Sequence, residues 1–378
     1  MNLDFTKEQK MLMSSAREFL VPECPKDLVR EIEESETGFR EDLWAKMAEL
    51  GWMGLIIPED YEGIEMTYFD LVLLLEEMGR NLLPGPFFST VLLGTVPIIE
   101  AGTDSQKQEF LPKIVEGDIR ITLAHAEPGA FYDPSDVNVQ AVPDSGGYVI
   151  NGTKLFVENA HISEYLICSA RTSGNGFSRD GITLFLVDAK DPGITTTVVP
   201  TIGLDRLCEV QIKDVKVSED QILGQKDNGW AVLEKVLERA AIGKCAEMVG
   251  GIKACLEMTN DYVKKRVAYG RIIGSFQVIQ HYLANVWIDM ETSRNITYEA
   301  AWRINEGLPC TMKAAVAKAW VGQAFGRVTE RCIQMHGAIG MTREQDVGLY
   351  HRRAKAWDLA FGDADYQREI VAQQLEMG

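Results

Sequence analysis

The fold is constrained most by Arg266-Val-Ala-Tyr-Gly-Arg-Ile-Ile-Gly-Ser-Phe-Gln277, read together with Gln334-Met-His-Gly-Ala-Ile-Gly340. The first stretch is cationic, and the planar fork of Arg266 suits a pyrophosphate oxygen. In the second stretch, Gly337 and Gly340 let main-chain N–H groups approach a phosphate or an adenine closely. Together the two stretches indicate a flavin dinucleotide site.

Long helical periodicity surrounds both stretches. The predicted helices from Trp230 onward run from Val232 to Val249, Val278 to Ile304, Met312 to Met335 and Val347 to Trp357. They predict a C-terminal helical bundle over residues 227–378.

An all-helical unit is predicted over residues 1–119. Thr6 followed by Gln9 has the pattern of a capping box at the start of a helix. Gly51 and Gly79 are expected to end later helices of this unit.

Between the helical parts, residues 120–226 change to short runs rich in β-branched and aromatic residues, bounded by Gly, Pro, Asp or Asn. A small antiparallel β domain is the simplest interpretation. The predicted order is therefore helix, sheet, helix, a mainly α protein with a central β domain.

Composition limits the possible functions of the 378-residue chain. Its formal charge of −18 argues against nonspecific nucleic-acid binding, which requires a basic surface. The seven cysteines are dispersed and odd in number, so we expect reduced thiols that pack in the core. Without a signal-like start or a long apolar run, a cytoplasmic protein with no membrane insertion is expected.

With three further segments, the two stretches resemble the acyl-CoA dehydrogenase family over nearly the whole chain and in the right order. These segments are Gly54-Leu-Ile-Ile-Pro-Glu-Asp-Tyr-Glu-Gly63, Glu127-Pro-Gly129 and Ala360-Phe-Gly-Asp-Ala-Asp-Tyr-Gln-Arg368. The resemblance implies an N-terminal helical domain, a middle β-barrel-like domain and a C-terminal four-helix bundle. It also implies FAD as cofactor and α,β-dehydrogenation of an acyl-CoA, with the α-proton taken by a carboxylate and the β-hydride by flavin N5.

The resemblance assigns the catalytic base in two ways. Much of the family has a glutamate at the position of Phe361, which cannot accept a proton. A minority has the base in a Glu-Arg pair on the first long helix of the bundle, here Glu238 and Arg239. Glu238 is therefore the candidate base, Arg239 is expected to support it or the coenzyme A phosphates, and the Phe361 N–H is expected to donate to the thioester carbonyl. The alternative for Glu238 is an ordinary solvated helix face.

The resemblance also assigns the cofactor contacts. At the adenine and pyrophosphate end they are Arg266, Tyr269, Phe276 and Gln277, with Gln334, His336 and Gly337 contributed across a subunit interface. At the isoalloxazine end of the flavin, the assigned contacts are Ala126, Phe156, Glu158, Asp363 and Asp365. The two aspartates are also the alternative bases, and bundle packing is the alternative for the two aromatic residues at the adenine end.

Four positions depart from the common family pattern or leave the substrate open. Glu158 replaces a small hydroxyl residue near N5, and Ala126 replaces a flavin-contacting hydroxyl. A carboxylate near a reduced flavin would oppose its negative charge. Phe87 and Phe88 are candidates for lining the acyl pocket, with core packing as the simpler alternative.

The expected partners are an acyl-CoA substrate and an electron-transfer flavoprotein. The expected assembly is a homotetramer or dimer, or a heteromer with a related subunit. Two other functions stay open: a non-catalytic subunit of a heteromeric dehydrogenase, and a flavin enzyme that works reductively or on a cyclic or carboxylated acyl chain.

Overall fold

The computed structural model of the chain describes residues 4–130 and 132–376. Its α-helices, numbered in chain order, are α1 (Lys7–Glu23), α2 (Lys26–Glu34), α3 (Glu41–Glu49), α4 (Tyr68–Asn81), α5 (Val96–Ala101), α6 (Asp104–Val115), α7 (Trp230–Lys265), α8 (Gln277–Asn305), α9 (Thr311–His336), α10 (Val347–Leu359) and α11 (Ala364–Glu376). A π-helical segment, Ser89–Thr95, precedes α5.

The strands lie mainly between α6 and α7. They are β1 (Ile121–Ala124), β2 (Gln140–Asp144), β3 (Gly147–Glu158), β4 (Tyr165–Arg171), β5 (Ile182–Asp188), β6 (Ile194–Val199), β7 (Leu207–Ser218), β8 (Ile222–Leu223), β9 (Val267–Ala268) and β10 (Arg271–Ile272). The predicted order of helix, sheet and helix is confirmed. The predicted boundaries at residues 119 and 226 stay predictions.

The described chain forms two compact units. The first combines the chain up to Glu31 with Thr67–Leu83 and with the chain from Glu238 onward. The second combines Ile32–Met66 with Pro84–Leu237. Parts of the N-terminal helical region therefore belong to the same unit as the C-terminal helices.

The second unit contains an eight-stranded sheet in the order β6-β7-β3-β2-β4-β5-β8, with β1 paired to β4. Most neighbours are antiparallel, as predicted, but β1 runs parallel to β4, and β2 meets β4 in parallel at one position. The sheet is therefore mixed. Its core is built from inward-facing residues that are almost fully buried, including Ile150, Leu166, Phe185 and Val210.

In the first unit, α9 packs against α8, α10 and α11. Helix α7 crosses α4 at very short range, because a Cβ added to Gly79 would lie 2.0 Å from the carbonyl oxygen of Glu247. The prediction that Gly79 ends a helix is wrong: α4 continues to Asn81, and Leu82 takes the left-handed conformation instead. Position 79 requires a glycine because the backbone of another helix packs directly against it.

Two other local predictions are confirmed. The Thr6 side chain accepts from the N–H of Gln9 at 3.2 Å, and the Gln9 side chain accepts from the N–H of Thr6 at 3.0 Å, which is a capping box. Gly51, at φ 75°, follows the end of α3. All seven cysteines are free and buried, and among the described residues no helix combines the length and apolarity needed to span a membrane.

Candidate functional site

The first quoted stretch forms an exposed hairpin. Strands β9 and β10 pair antiparallel, with Ala268 opposite Arg271. Tyr269 sits in the turn at φ 51° with 95% of its surface exposed. Its ring meets that of Phe276 edge to face at 6.3 Å, and the Arg271 guanidinium lies 4.0 Å from the Phe276 ring centroid. The alternative of bundle packing does not hold for Tyr269 in the described chain, and its predicted contact with the cofactor stays a prediction.

A groove of about 450 Å³ joins the two quoted stretches. Arg266 and His336 both line it, together with Tyr262 and Lys265. The rings of Tyr262 and His336 stack with centroids 4.3 Å apart. The structure thus brings together residues that lie far apart in sequence and that were both predicted to contact the dinucleotide.

Histidine 336 is a fixed wall of this groove. Its Nδ1 lies 2.8 Å from the carbonyl oxygen of Cys332, and the side chain is buried. Burial lowers the pKa of His336, partly offset by that carbonyl. The ring is therefore neutral near pH 7, and the charged residues that line the groove are Arg266 and Lys265 with one acidic residue, Asp261.

These residues fit the pyrophosphate and adenine end of FAD. Arg266 is exposed, and no side chain in the described ranges pairs with its guanidinium. Gly337 follows α9 at φ 69° with open space where a Cβ would stand, so its backbone can be approached closely. Gln277 and Gln334 are exposed at the ends of α8 and α9. Unpaired cations, an exposed aromatic ring and open glycine backbone suit a dianionic dinucleotide.

The Phe361 segment forms a tight turn between α10 and α11. Phe361 has φ 57° and Gly362 has φ 92°, so two consecutive residues are left-handed. Gln367 Nε2 donates to the carbonyl oxygen of Phe361 at 2.7 Å, and Lys318 Nζ donates to that of Gly362 at 3.0 Å. A main-chain turn of this kind can aim an N–H group outward from the bundle.

Glu238, the proposed base, and its neighbour Arg239 lie where α7 enters the first unit. The hydroxyl of Thr311, the first residue of α9, donates to a carboxylate oxygen of Glu238. Glu238 and Arg239 are both half-buried. The Tyr68 hydroxyl donates to the Arg239 carbonyl oxygen at 2.5 Å. Glu238 is therefore not on a freely solvated helix face.

Glu238 and the Phe361 turn contact different positions of α9. Glu238 is bonded to Thr311, whereas the turn is bonded to Lys318, two helical turns further on. With a rise of about 1.5 Å per residue, these anchor positions lie about 10 Å apart along the helix.

In the second unit, the ring-end candidates share one part of the sheet. The N–H of Leu155 donates to the carbonyl oxygen of Ala126 at 2.8 Å, which ties Ala126 to β3. The β3–β7 register shifts between Lys154 and Val157, and Phe156 in this bulge has φ 54° and is 58% exposed. The bulge presents an aromatic face outward, while Glu158 is half-buried two residues later.

A buried ion pair lies beneath this bulge. Lys154 Nζ donates to Glu127 Oε1 at 2.6 Å, and both side chains are buried. Lys154 also donates to the His125 carbonyl oxygen and to the Ser169 hydroxyl, each at 3.1 Å. Burial, with the nearby Lys154 charge, lowers the pKa of His125 to about 3. The neutral imidazole and the ion pair fix the backbone that carries Ala126.

Four remaining candidates have structural contacts. Asp363 Oδ1 accepts from the N–H of Tyr366 at 2.9 Å and caps α11, and Asp365 pairs with Arg368 at 2.7 Å. Phe87 and Phe88 are buried in the second unit. Their assignments to cofactor and substrate stay predictions, and the structure gives each of them a packing or capping contact as well.

Lys318 and His125 were not singled out from the sequence. A lysine in the middle of an apolar helical run, as in Ala317-Lys318-Ala319, is the available signal for Lys318. Its partners are carbonyl oxygens about forty residues away, which no local pattern indicates. His125 directly precedes Ala126, but nothing in the sequence alone marks it as buried. Among the described residues no cluster of metal-binding side chains occurs.

Comparison with known proteins gives a consistent result across the chain. Residues 6–118, 122–215 and 227–376 match the models of the N-terminal, middle and C-terminal domains of acyl-CoA dehydrogenase. A probable acyl-CoA dehydrogenase of Bacillus subtilis is 30% identical over 99% of this chain and 100% of its own length. A 3-(aryl)acrylate reductase of Clostridium sporogenes is 28% identical over 98% of this chain and 99% of its own. The structure of butyryl-CoA dehydrogenase from Megasphaera elsdenii is similar with a TM-score of 0.92, 28% identity and complete coverage of both chains.

Proposed function

The chain belongs to the acyl-CoA dehydrogenase family, and from this premise we propose that it dehydrogenates an acyl-CoA thioester between its α and β carbons with FAD as cofactor. The observation that carries the proposal is the groove that Arg266 and His336 line together. Both residues were assigned to the dinucleotide from the sequence, with His336 expected from across a subunit interface, and in this chain both line one groove.

FAD, when bound, supplies the acceptor for the hydride that leaves the β-carbon. Arg266 and Lys265 neutralise the pyrophosphate, and the exposed rings of Tyr269 and Phe276 offer apolar surface to the adenine. Phe156, exposed on its bulge, covers one face of the isoalloxazine, with Ala126 leaving space beside it. Gln277 adds to this end from the same subunit as Arg266, and Gln334 and Gly337 complete it across a subunit interface.

Two groups of the chain act on the thioester. The N–H of Phe361 donates to the thioester carbonyl oxygen, which makes the α-proton more acidic and stabilises the negative charge that develops on that oxygen. The Glu238 carboxylate, which accepts a hydrogen bond from Thr311 at one of its oxygens, takes the α-proton. Arg239 holds the carboxylate or the coenzyme A phosphates.

The direction and the assembly are part of the same proposal. In its simplest form, an electron-transfer flavoprotein oxidises the reduced flavin. The protein is then a homotetramer in the cytoplasm. Phe361 in place of a carboxylate favours one other candidate, a non-catalytic subunit in a heteromeric dehydrogenase. The similarity to a 3-(aryl)acrylate reductase favours another, in which the same groups reduce a conjugated double bond.

Anaerobic mixing of the purified protein with linear, branched and cyclic acyl-CoAs tests the proposal. Loss of the oxidised flavin absorbance with one thioester would support dehydrogenation and identify the acyl class. Flavin that is bound but stays oxidised with every saturated thioester, and that reacts once reduced with a 2-enoyl-CoA, would favour the reductive function. Absence of bound flavin in the homo-oligomer would favour the partner-subunit function.

A further inference from the structure

Lys318 has a buried amine whose described hydrogen-bond partners are main-chain carbonyls rather than a carboxylate. The side chain is 0% exposed in the middle of α9. Its Nζ donates to the carbonyl oxygens of Asp358 at 2.7 Å and Gly362 at 3.0 Å. Burial lowers the pKa of Lys318, while Cys245 and Asp358 raise it to a smaller extent. An ammonium group removed from water is costly, so its partners must be well placed.

The two carbonyls that Lys318 binds enclose the Phe361 turn. Asp358 lies in the last turn of α10, and Gly362 follows Phe361, so the residues between them are held at both ends. Gln367 adds a third bond, to the carbonyl oxygen of Phe361 at 2.7 Å. The peptide that carries the Phe361 N–H lies inside this clamp, which we define as Lys318, Gln367 and the three carbonyls they bind.

The turn needs such a clamp because its backbone is strained. A left-handed conformation is unfavourable at a residue with a side chain, here Phe361 at φ 57°. Gly362 is also left-handed, and a Cβ there would lie 2.4 Å from the Tyr366 ring. Strained backbone of this kind persists only where surrounding groups determine it, and it is concentrated at functional sites.

We infer that Lys318 is a positioning residue for the thioester subsite: through the Asp358 and Gly362 carbonyls it fixes the direction of the Phe361 N–H. The inference rests on the proposed function, which assigns that N–H to the thioester carbonyl.

A purely structural role would be an anchor between α9 and the connection from α10 to α11. Such an anchor affects stability without affecting how strongly the bound thioester is polarised. The stretching frequency of the thioester carbonyl separates the two roles, because it falls when the oxygen accepts a well-aligned hydrogen bond.

The experiment uses the FAD-loaded protein with but-2-enoyl-CoA and oct-2-enoyl-CoA, each labelled with ¹³C at the carbonyl. These thioesters are already unsaturated and do not reduce the flavin. Raman difference spectra are compared for the wild type, Lys318→Met and the control Lys313→Met. Lys313 lies on the same helix, is partly exposed and pairs with Glu299 at 2.7 Å.

We expect a lowered carbonyl frequency in the wild type and in Lys313→Met, and a frequency near that of the free thioester in Lys318→Met. With the saturated thioester, kcat should fall about 10- to 100-fold in Lys318→Met while KM changes less than about threefold, as for a misaligned catalytic donor. Equal frequencies and equal kcat in a folded Lys318→Met protein would overturn the inference.

Loss of a buried ammonium can also prevent folding. If Lys318→Met does not fold, Gln367→Met tests the clamp instead, because it removes the hydrogen bond to the Phe361 carbonyl and leaves Lys318 in place. A raised carbonyl frequency in Gln367→Met would support the clamp, and an unchanged frequency would contradict it. A wild type that shifts the frequency of neither thioester would instead contradict the proposed function, and the premise of this inference with it.

Discussion

The hydroxyl of Thr311 donates a hydrogen bond to the carboxylate of Glu238, so the proposed base is held at the N-terminus of α9. The Phe361 turn is held further along the same helix, by Lys318. The two groups proposed to act on the thioester are therefore both anchored to one helix. The two anchor positions are offset along α9, so the role of Glu238 can be tested separately by substitution.

Glu238→Gln removes basicity with little change in volume. We expect flavin reduction by the acyl-CoA to slow by about a hundredfold to ten-thousandfold, the usual range for a general base. FAD and thioester binding should persist. Stopped-flow absorbance under anaerobic conditions measures the rate, with Glu234→Gln, one helical turn earlier on α7, as control. Unchanged reduction would move the base to Asp363, Asp365 or Glu158.

Arg266→Gln removes a guanidinium from the groove next to His336. A hydrogen bond to a charged group contributes about 1.5–3 kcal/mol, so FAD should bind about 10- to 100-fold more weakly. Titration of the FAD-free protein by flavin fluorescence measures the affinity. Lys355→Gln, which removes a surface ion pair with Glu330, should leave the affinity unchanged. Equal FAD affinity in Arg266→Gln would contradict the assignment of this groove.

Lys154→Met leaves the Glu127 carboxylate buried without its cation. Removing one partner of a buried pair costs about 3–5 kcal/mol of unfolding free energy. Lys235→Met removes an exposed pair with Glu100 and should cost less than about 1 kcal/mol. Urea unfolding of both variants gives the comparison. Similar small losses in the two variants would show that Lys154 does not support the fold of the sheet.

Stability should depend on pH through His125. Its pKa in the folded protein is about 3, well below the ordinary value near 6.5, chiefly because the ring is buried. Between these values the unfolded chain binds a proton that the folded protein excludes, so stability is lost as the pH falls from about 6.5 towards 3. The slope from this group is about 1.4 kcal/mol per pH unit.

His125→Gln removes this titration and should flatten the pH dependence of urea unfolding between pH 4.5 and 6. His281→Gln, at an exposed position of α8, is the matched control and should keep the wild-type slope. His161 and His336 also have lowered pKa values, so part of the slope should remain. A slope identical in wild type and His125→Gln would mean that His125 takes its proton within the folded protein.

Local signals in the sequence predicted local structure well. The capping box at Thr6 and the helices of the bundle depend on residues three or four apart, which a sequence displays directly. The parallel pairing of β1 with β4 and the close contact at Gly79 depend on segments far apart in the chain, and both differed from prediction. Gly79 was predicted to end a helix because the sequence alone does not distinguish a glycine that caps a helix from one that allows another helix to pack closely.

In the candidate site, too, features encoded by local motifs were predicted, whereas features that depend on distant segments were not. Arg266 and His336 were predicted from two motifs and line one groove. The hydrogen bond between Glu238 and Thr311 and the clamp around Phe361 could not be predicted, because their partners are defined only once α7, α9 and α10 have packed. Main-chain carbonyls, which bind Lys318, have no residue-type signature at all.

The proposed reaction removes two hydrogens from an acyl-CoA. Its decisive measurement is the mass of the thioester after anaerobic mixing with a stoichiometric amount of FAD-loaded protein. We expect a product lighter by two hydrogen atoms, formed in proportion to the flavin that is reduced. A thioester of unchanged mass beside fully oxidised flavin, for every acyl class tested, would contradict it.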